Sequence, residues 1–253
     1  WIRHVQAALD EFSKQRHASQ VKAIGLTTQV NTLVFCDAQL QPLRPAITWQ
    51  DTRPGTVASA VDARISPAEK MEALGAPIPI DASHALSRMA WVAETERDVW
   101  EKTRHVLLPK DYVAAALTGS MAADPLSAIG LAGTDFAYAP AILKLMEGAD
   151  AALPPLKDPL EIVGSMPAGA PFAGIPIAVV TMDAWAAMFG LGVANEGQAM
   201  YLTGTSDVLG VISKRVTGEP GVVVFPPWRG LTFHAAPTQS GGASLAWAAS
   251  LLG

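Results

Sequence analysis

The stretch IPIAVVTMDAWAAMFGLGVANEG, residues 175–197, is the most apolar long run in the chain, yet it carries a carboxylate, Asp183, near its centre. An unpaired charge in a protein interior costs many kcal/mol, so Asp183 requires a structural or chemical reason. The run is about as long as a membrane span, but Asp183 and several glycines interrupt it. We therefore predict a strand over residues 176–180, a turn, and a helix over residues 184–192.

The position of Asp183 between a predicted strand and a predicted helix allows two interpretations. In the first, its oxygen caps the helix by accepting an orphan backbone N–H of the first turn. In the second, it is a ligand group, because α/β proteins bind ligands at the carboxyl ends of strands beside helix N-termini. A carboxylate there could take a proton from a substrate hydroxyl. The two roles do not exclude each other, and both stay open from the local pattern.

On both sides of this stretch, the pattern predicts helices mixed with strands. Helices are predicted at residues 1–15, 83–103, 109–118 and 241–252, with Pro109 just inside the third of them and Gly119 at its end. Strands are predicted at residues 21–28 and 161–164, a hairpin-like pair at 32–49, and a strand–turn–strand at 198–213. This order indicates an α/β protein.

Composition limits the classes of partner. Of the 253 residues, 50% are hydrophobic and 16% charged, so the chain can bury a sizeable core. The net charge of −5 argues against nucleic acid or an anionic membrane surface as a partner. A single cysteine, Cys36, excludes an intramolecular disulfide and suggests a reducing compartment. Because no basic segment followed by an apolar one opens the chain, we predict no signal peptide and a cytoplasmic location.

Two groups of polar residues are candidates for ligand binding. The turn Gly204-Thr205-Ser206 could direct backbone N–H and side-chain hydroxyl groups at one phosphate, although glycine and serine are also ordinary turn residues. The second group follows predicted strands and has the mix of hydrogen-bonding and apolar groups that a sugar or polyol site requires: Gln29, Asn31, Trp49, Asp51 and Arg53. The alternatives are core packing for Trp49 and a solvated loop pair for Asp51 and Arg53.

With these segments in view, the sequence resembles the FGGY family of carbohydrate kinases, most closely its xylulokinase-like branch. Residues 24–54, IGLTTQVNTLVFCDAQLQPLRPAITWQDTRP, are similar to the family's first strand, substrate loop and W-N-D-x-R segment. LLPKDYVAAALTG and AADPLSAIG resemble its L-P-K-D-Y…L-T-G and D-x-S-x-A blocks. Residues 174–193 resemble the segment that carries its catalytic aspartate, YLTGTSDVLG its phosphate turn, and HAAPTQSGGASLAW the helix start beside the nucleotide.

The resemblance implies an actin-like, ribonuclease H-like fold of two domains, with residues 1–195 as a sugar-binding domain and residues 196–253 as the beginning of a nucleotide-binding domain. It implies ATP-dependent phosphorylation of a sugar or polyol hydroxyl with Mg²⁺, and it suggests a homodimer. Asp183 matches the catalytic base. The resemblance assigns no metal ligand in this chain, and it implies substrate contacts at Val30, Asn31, Trp49 and Asp51 and nucleotide contacts at Gly204, Thr205, Ser206 and Gly242.

The sequence departs from the family pattern at several points. The two glycines usual before the base are Thr181 and Met182, which adds bulk where backbone is expected close to ligand. The Q-M-H of the xylulokinase-like branch is Gln29-Val30-Asn31, so an amide replaces an imidazole. The family's first phosphate hairpin and its later adenosine motif have no counterpart here, so we expect part of a longer kinase. The alternatives are a non-catalytic sugar-binding relative that lacks the ATP site and a purely structural α/β domain.

Overall fold

The computed structural model of the chain describes residues 1–204, 207–215, 221–238 and 240–252. Backbone contacts divide the chain into two units, Trp1–Asp183 and Ala184–Gly253. The domain boundary expected after residue 195 stays a prediction. Both units combine helices and strands, as the sequence pattern predicts.

The first unit contains several short strands and mostly short helices. Its strands are β1 (Ile24–Gly25), β2 (Val34–Cys36), β3 (His105–Leu107), β4 (Ile162–Ser165) and β5 (Pro176–Ala178). Its helices are α1 (Ile2–Ser13), α2 (Gly55–Asp62), α3 (Pro67–Leu74), α4 (Ala85–Thr95), α5 (Arg97–Lys102), α6 (Pro109–Thr118), α7 (Pro140–Leu143) and α8 (Ala149–Ala152). Strand β5 pairs with β1 in parallel and with β4 antiparallel, while β2 pairs with β3 antiparallel.

Helix α6 forms where the sequence predicts it. Pro109 occupies its first turn, where a backbone N–H would have no intrahelical partner. Gly119 ends the helix with φ of 75°, a left-handed conformation that glycine adopts without a Cβ clash, and its N–H donates to the carbonyl oxygen of Ala115. The local rules for helix ends therefore fix both ends of α6 without help from distant residues.

The single helix predicted over residues 83–103 is wrong, because the chain breaks at Glu96 into α4 and α5. Glu96 has φ of −129° and ψ of 55°, which is outside the helical region. Its carboxylate accepts two hydrogen bonds from the Arg44 guanidinium, at 2.7 and 3.0 Å. This long-range pair holds Glu96 at the break, and no proline or glycine marks the break in the sequence.

The predicted strands exist, but most are shorter than expected. Strand β1 has two residues where residues 21–28 are predicted, and β5 ends at Ala178 because Val180 has a φ of 57°. The hairpin-like pair predicted over residues 32–49 is reduced to isolated bridges, Leu33 with Ile47 and Cys36 with Pro42. The regular partner of β2 is the more distant β3.

The second unit is built on an antiparallel sheet. Its strands are β6 (Ala199–Thr203), β7 (Asp207–Ser213), β8 (Val223–Val224) and β9 (Thr232–Pro237), in the order β6-β7-β9-β8. Helix α9 (Asp183–Gly190) begins at the last residue of the first unit, and α10 (Gly242–Leu252) follows the sheet. The strand–turn–strand and the two helices predicted here are confirmed. Trp185 is fully buried, and its ring lies 5.3 Å from that of Phe233 and 5.7 Å from that of Phe189, so aromatic packing forms the interior.

The interior of the first unit lies mainly between α2, α4 and the β2–β3 pair, around fully buried residues such as Phe35, Leu86 and Met89. A smaller cluster, which includes Leu9, Val163 and Ile177, joins α1 to the β1-β5-β4 sheet. Among the helices that the structure describes, none combines the length and apolar character that crossing a membrane requires.

We expect the stability of the protein to depend on pH through His84, which is 3% exposed and whose Nδ1 accepts the N–H of Leu86 at 3.1 Å. Burial lowers the pKa of His84 from 6.5 to about 4. The unfolded state then binds the proton first, so the contribution of His84 to the free energy of unfolding should fall by roughly 3 kcal/mol as the pH drops from about 6.5 to about 4. Urea unfolding of the complete protein across this pH range measures the slope.

His84→Gln should remove this part of the pH slope, because the variant has no titrating ring. His4→Gln is the control, since it removes a histidine from an exposed position on α1. Equal slopes for wild type and His84→Gln would contradict the prediction.

Candidate functional site

The segment between β5 and α9 is held in an unusual conformation. Val180 has φ of 57°, a region that a β-branched residue rarely enters and that costs on the order of 1–3 kcal/mol. Hydrogen bonds hold it there: the N–H groups of Val179 and Val180 donate to the carbonyl oxygens of Glu161 and Pro159, at 2.9 and 2.8 Å. The turn at Val180 ends the strand and directs the following residues into α9.

The residues after this turn differ sharply in exposure. Thr181 and Met182 are 4% and 2% exposed, and Asp183, the first residue of α9, is exposed. The carboxylate is therefore not buried with the apolar segment around it. The two side chains that replace the family's glycines are therefore buried. The backbone of Thr181 is held as well, because its carbonyl oxygen accepts the Thr27 hydroxyl at 2.8 Å. The closeness of these two side chains to a ligand stays a prediction.

The first substrate loop predicted from the sequence lies directly against the Asp183 backbone. The Asp183 N–H donates to the carbonyl oxygen of Thr28 at 3.0 Å. Further along the loop, Val30 and Asn31 are half-buried, and the Asn31 side-chain N–H donates to the carbonyl oxygen of Ser83 at 3.0 Å. The loop therefore joins Asp183 at one end to the turn before α4 at the other.

The second predicted loop is anchored to the first through Thr32. This threonine is fully buried, and its hydroxyl accepts the backbone N–H of Trp49 at 3.1 Å and the side-chain N–H of Gln29 at 3.3 Å. Trp49 itself is 42% exposed, so core packing does not account for its indole. The structure thus places Asn31, Trp49 and Asp183 around one short stretch of the first unit.

Asp51 and Arg53 form the loop pair that was one of the alternatives. Arg53 donates from Nε to both Asp51 oxygens, each at 3.0 Å, and Nη2 also pairs with the carboxylate. The hydrogen bond from Arg53 holds the pKa of Asp51 below its usual value. The guanidinium carbon of Arg53 also lies 4.6 Å from the centre of the Trp91 ring, so the pair is tied to α4. Asp51 stays a proposed rather than an observed substrate contact.

A buried arginine that sequence reasoning missed lies beneath both loops. Arg88 on α4 is 0% exposed; its Nη1 donates to the carbonyl oxygen of Asn31, and its Nη2 to that of Trp49 at 2.8 Å. Ala85 and Val92, three residues before and four after it, share its helix face and are buried. The sequence did contain one signal of its role, a cationic residue on the apolar face of a predicted helix.

A second buried ionic group comes from the L-P-K-D-Y block. Lys110, Asp111 and Asp124 are each at most 2% exposed, and the Lys110 ammonium lies 2.6 Å from one Asp111 oxygen and 2.9 Å from one Asp124 oxygen. Burial alone would lower the pKa of Lys110, but the two carboxylates together raise it. Burial raises the pKa of Asp111 to about 6; the charge of Asp124 acts in the same direction, and Lys110 offsets only part of the increase.

This ionic group is connected to the strand that leads to Asp183. The Lys110 ammonium donates to the carbonyl oxygen of Val179 at 3.4 Å. Asp124 accepts the N–H of Ser127 at 3.0 Å, and the Ser127 hydroxyl lies 3.4 Å from that of Thr181. The sequence contained these residues in two family blocks, but nothing in their spacing predicted that they meet.

In the second unit, the two glycines predicted to lie near nucleotide contact each other. The N–H of Gly242, at the start of α10, donates to the carbonyl oxygen of Gly204 at 2.7 Å. A Cβ on Gly242 would lie 2.3 Å from that oxygen, so no side chain fits there. Thr205 and Ser206 lie outside the described residues. Within the part of the chain that the structure describes, no cluster of three or more His, Cys, Asp or Glu residues is arranged to hold a metal ion.

Comparison with known proteins gives one consistent result. A sequence model of the N-terminal domain of the FGGY family of carbohydrate kinases matches residues 1–190. The xylulose kinase of Escherichia coli K12 is 28% identical over 263 aligned residues, which cover 100% of this chain and 54% of that protein. The xylulose kinase of Streptomyces coelicolor is 31% identical, with 93% of this chain and 50% of that protein covered.

The same likeness holds for structure. The crystal structure of xylulose kinase from Rhodospirillum rubrum matches 100% of this chain and 54% of its own, with a TM-score of 0.87 at 20% identity. This match confirms the predicted sugar-kinase fold. The chain spans about half the length of the relatives it matches.

We expect Lys110→Met to destabilise the complete protein by about 3–5 kcal/mol, because it leaves two buried carboxylates without their cation. Lys70→Met is the matched control: Lys70 is also buried, but its partner Asp62 has a side chain that is 38% exposed and can be solvated. The loss of stability in Lys70→Met should be clearly smaller than that in Lys110→Met. Urea unfolding at pH 7.5 measures both, and equal losses would show that the buried group contributes no more than the partly exposed pair of Lys70 and Asp62.

Proposed function

The chain belongs to the FGGY family of carbohydrate kinases, and we propose that the protein containing it transfers a phosphoryl group from ATP to a hydroxyl of a sugar or polyol. The relatives that match the chain along nearly its whole length are named as kinases, which favours this function over a non-catalytic sugar-binding protein or a purely structural domain. A cytoplasmic location and a homodimer belong to the same proposal.

The proposed substrate is a xylulose-like ketopentose or a related polyol. The name of the relatives supports a ketopentose. The exposed indole of Trp49 offers an apolar face for the C–H groups of a sugar, and the half-buried amide of Asn31 offers hydrogen bonds to its hydroxyls. Because the Asn31 amide stands where the xylulokinase-like branch has an imidazole, the substrate screen should include ketopentoses, polyols and aldonates.

The observation that carries the proposal is the position of Asp183. Its carboxylate is exposed at the first residue of α9, while its backbone N–H is fixed to the loop that carries Val30 and Asn31. We propose that this carboxylate accepts the proton of the substrate hydroxyl. The hydroxyl oxygen then bonds to the γ-phosphorus of ATP as the bond to ADP breaks, and phosphoryl transfer of this kind depends mainly on positioning and charge.

For the triphosphate, we propose the turn at Gly204, Thr205 and Ser206 together with Gly242. Close backbone approach at Gly204 and Gly242 leaves no side chain between them, and the positive end of the helix dipole at the start of α10 favours anions. Mg²⁺ is usually held by one or two carboxylates, water and the phosphates of the substrate. We therefore propose that it is bound mainly through ATP, and we assign it no ligand in this chain.

The first test is Asp183→Asn in the complete protein. The change keeps the size and one acceptor oxygen but removes the base, so kcat should fall by roughly 10²–10⁴-fold while the sugar Kd changes little. Steady-state kinetics and calorimetric sugar binding measure the two quantities.

Asp98→Asn is the matched control, because Asp98 is also an exposed aspartate in the first turn of a helix, α5. It should lose the same interaction with the helix dipole and keep its kcat. A near-normal kcat for Asp183→Asn would reduce Asp183 to a helix-terminus role.

Asn31→Ala should raise the sugar KM and leave the ATP KM unchanged. The variant leaves the sugar hydroxyl that contacts the Asn31 amide without a hydrogen-bond partner. An unpaired buried polar group costs about 1–3 kcal/mol, which corresponds to roughly 5- to 150-fold in KM if substrate binding is at equilibrium. Initial-rate kinetics with each substrate varied in turn measure the effect. A shift in the ATP KM alone would place the sugar elsewhere.

A further inference from the structure

Arg88 is a buried cation without a salt bridge among the described residues. Its guanidinium is 0% exposed, and its described hydrogen bonds go to two backbone carbonyl oxygens, those of Asn31 and Trp49. Burial lowers its pKa, although the charges of Asp51 and Asp81 act in the opposite direction. A buried charge costs free energy unless hydrogen bonds compensate for it, so the two carbonyl contacts are the main compensation in the structure.

The two contacts join segments that are far apart in the sequence. Arg88 lies 57 residues from Asn31 and 39 from Trp49, so it connects α4 to both predicted substrate loops. The planar guanidinium presents its donors in a fixed fork and stays charged when buried. The rigid guanidinium of Arg88 therefore contacts both loop backbones and sets the distance between them.

We propose that Arg88 is a positioning residue that fixes the spacing between Asn31 and Trp49 and thereby the shape of the sugar site. This inference rests on the proposed function, because it assumes that the two loops bind the sugar. Arg88 itself is too deeply buried to touch substrate. The loops are also joined by the Thr32 hydroxyl, which accepts the Trp49 N–H, and by the bridge between Leu33 and Ile47. Neither contact uses the carbonyl oxygens of Asn31 and Trp49, which are left to Arg88.

The kinetic test uses Arg88→Lys and Arg88→Met in the complete protein. Arg88→Met keeps an unbranched apolar stem but removes the guanidinium and leaves both carbonyl oxygens unpaired, and we expect the sugar KM to rise by about tenfold or more. Arg88→Lys keeps the charge but not the fork, and we expect a smaller rise. The ATP KM should stay unchanged and kcat should stay within about threefold, because neither contact reaches the Asp183 carboxylate.

The control variants are Arg44→Lys and Arg44→Met. Arg44 is also a largely buried arginine of the first unit, with a side chain 9% exposed, but its main partner is Glu96 at the α4–α5 break. These variants should lower the Tm about as much as the Arg88 variants and leave the sugar KM unchanged. Equal sugar KM values in the Arg88 and Arg44 variants would overturn the proposal, since stability loss alone would then explain the result.

Hydrogen–deuterium exchange gives a readout that does not depend on activity. The backbone amides of residues 27–32 and of Trp49 should exchange at least about tenfold faster in Arg88→Lys than in wild type. The amides of residues 27–32 should exchange at the wild-type rate in Arg44→Lys. Unchanged exchange in Arg88→Lys would overturn the proposal, and this variant carries the test if Arg88→Met does not fold.

The two proposals can fail separately. If the wild-type protein phosphorylated none of the screened sugars, the proposed function would fail, while exchange would still show whether Arg88 holds the loops together. If Asp183→Asn lost activity but the Arg88 variants kept a normal sugar KM, the function would stand and the role of Arg88 would be overturned.

Discussion

The constraint on which the rest of the first unit depends is the backbone of residues 179–183. Val180 adopts a conformation that β-branched residues avoid, so neighbouring contacts must hold it in place. Hydrogen bonds do this along the whole segment, from the pair formed by Val179 with Glu161 to the pair formed by Asp183 with Thr28. Because these partners come from two separate segments, one just before β4 and one just after β1, the position of Asp183 is set by both at once.

The predicted site is held together by buried polar groups rather than by apolar packing. Thr32 and Arg88 are fully buried, and each makes two hydrogen bonds that link separate segments. A hydrogen bond has a defined direction, whereas apolar contact tolerates sliding, so such groups fix loops more accurately than hydrophobic side chains do. The cost is that removing one partner leaves the other unpaired in the interior.

The sequence allowed the prediction of those features that local chemistry controls. Pro109 and Gly119 mark both ends of α6, because their effects on backbone conformation act within one turn. The break at Glu96 was missed because it depends on Arg44, 52 residues away, and no local rule contains that pair. The candidate residues came from strand ends and from a family resemblance. The roles of the buried groups that hold them, Arg88 and Lys110, could not be found in this way, since they appear only when distant segments meet.

The acidic residues of the first unit lie in two opposite environments. The contrast explains why Asp183 lies in apolar sequence. Asp111 and Asp124 are buried and share Lys110, so their charges are paired within the interior. Asp183 follows a segment that is equally buried, but the turn at Val180 brings it to an exposed position at the start of a helix. A carboxylate there keeps access to ligand while its backbone stays fixed, and a general base requires both properties. The apolar residues before Asp183 therefore serve to anchor the backbone, and the charge itself lies outside the core that they form.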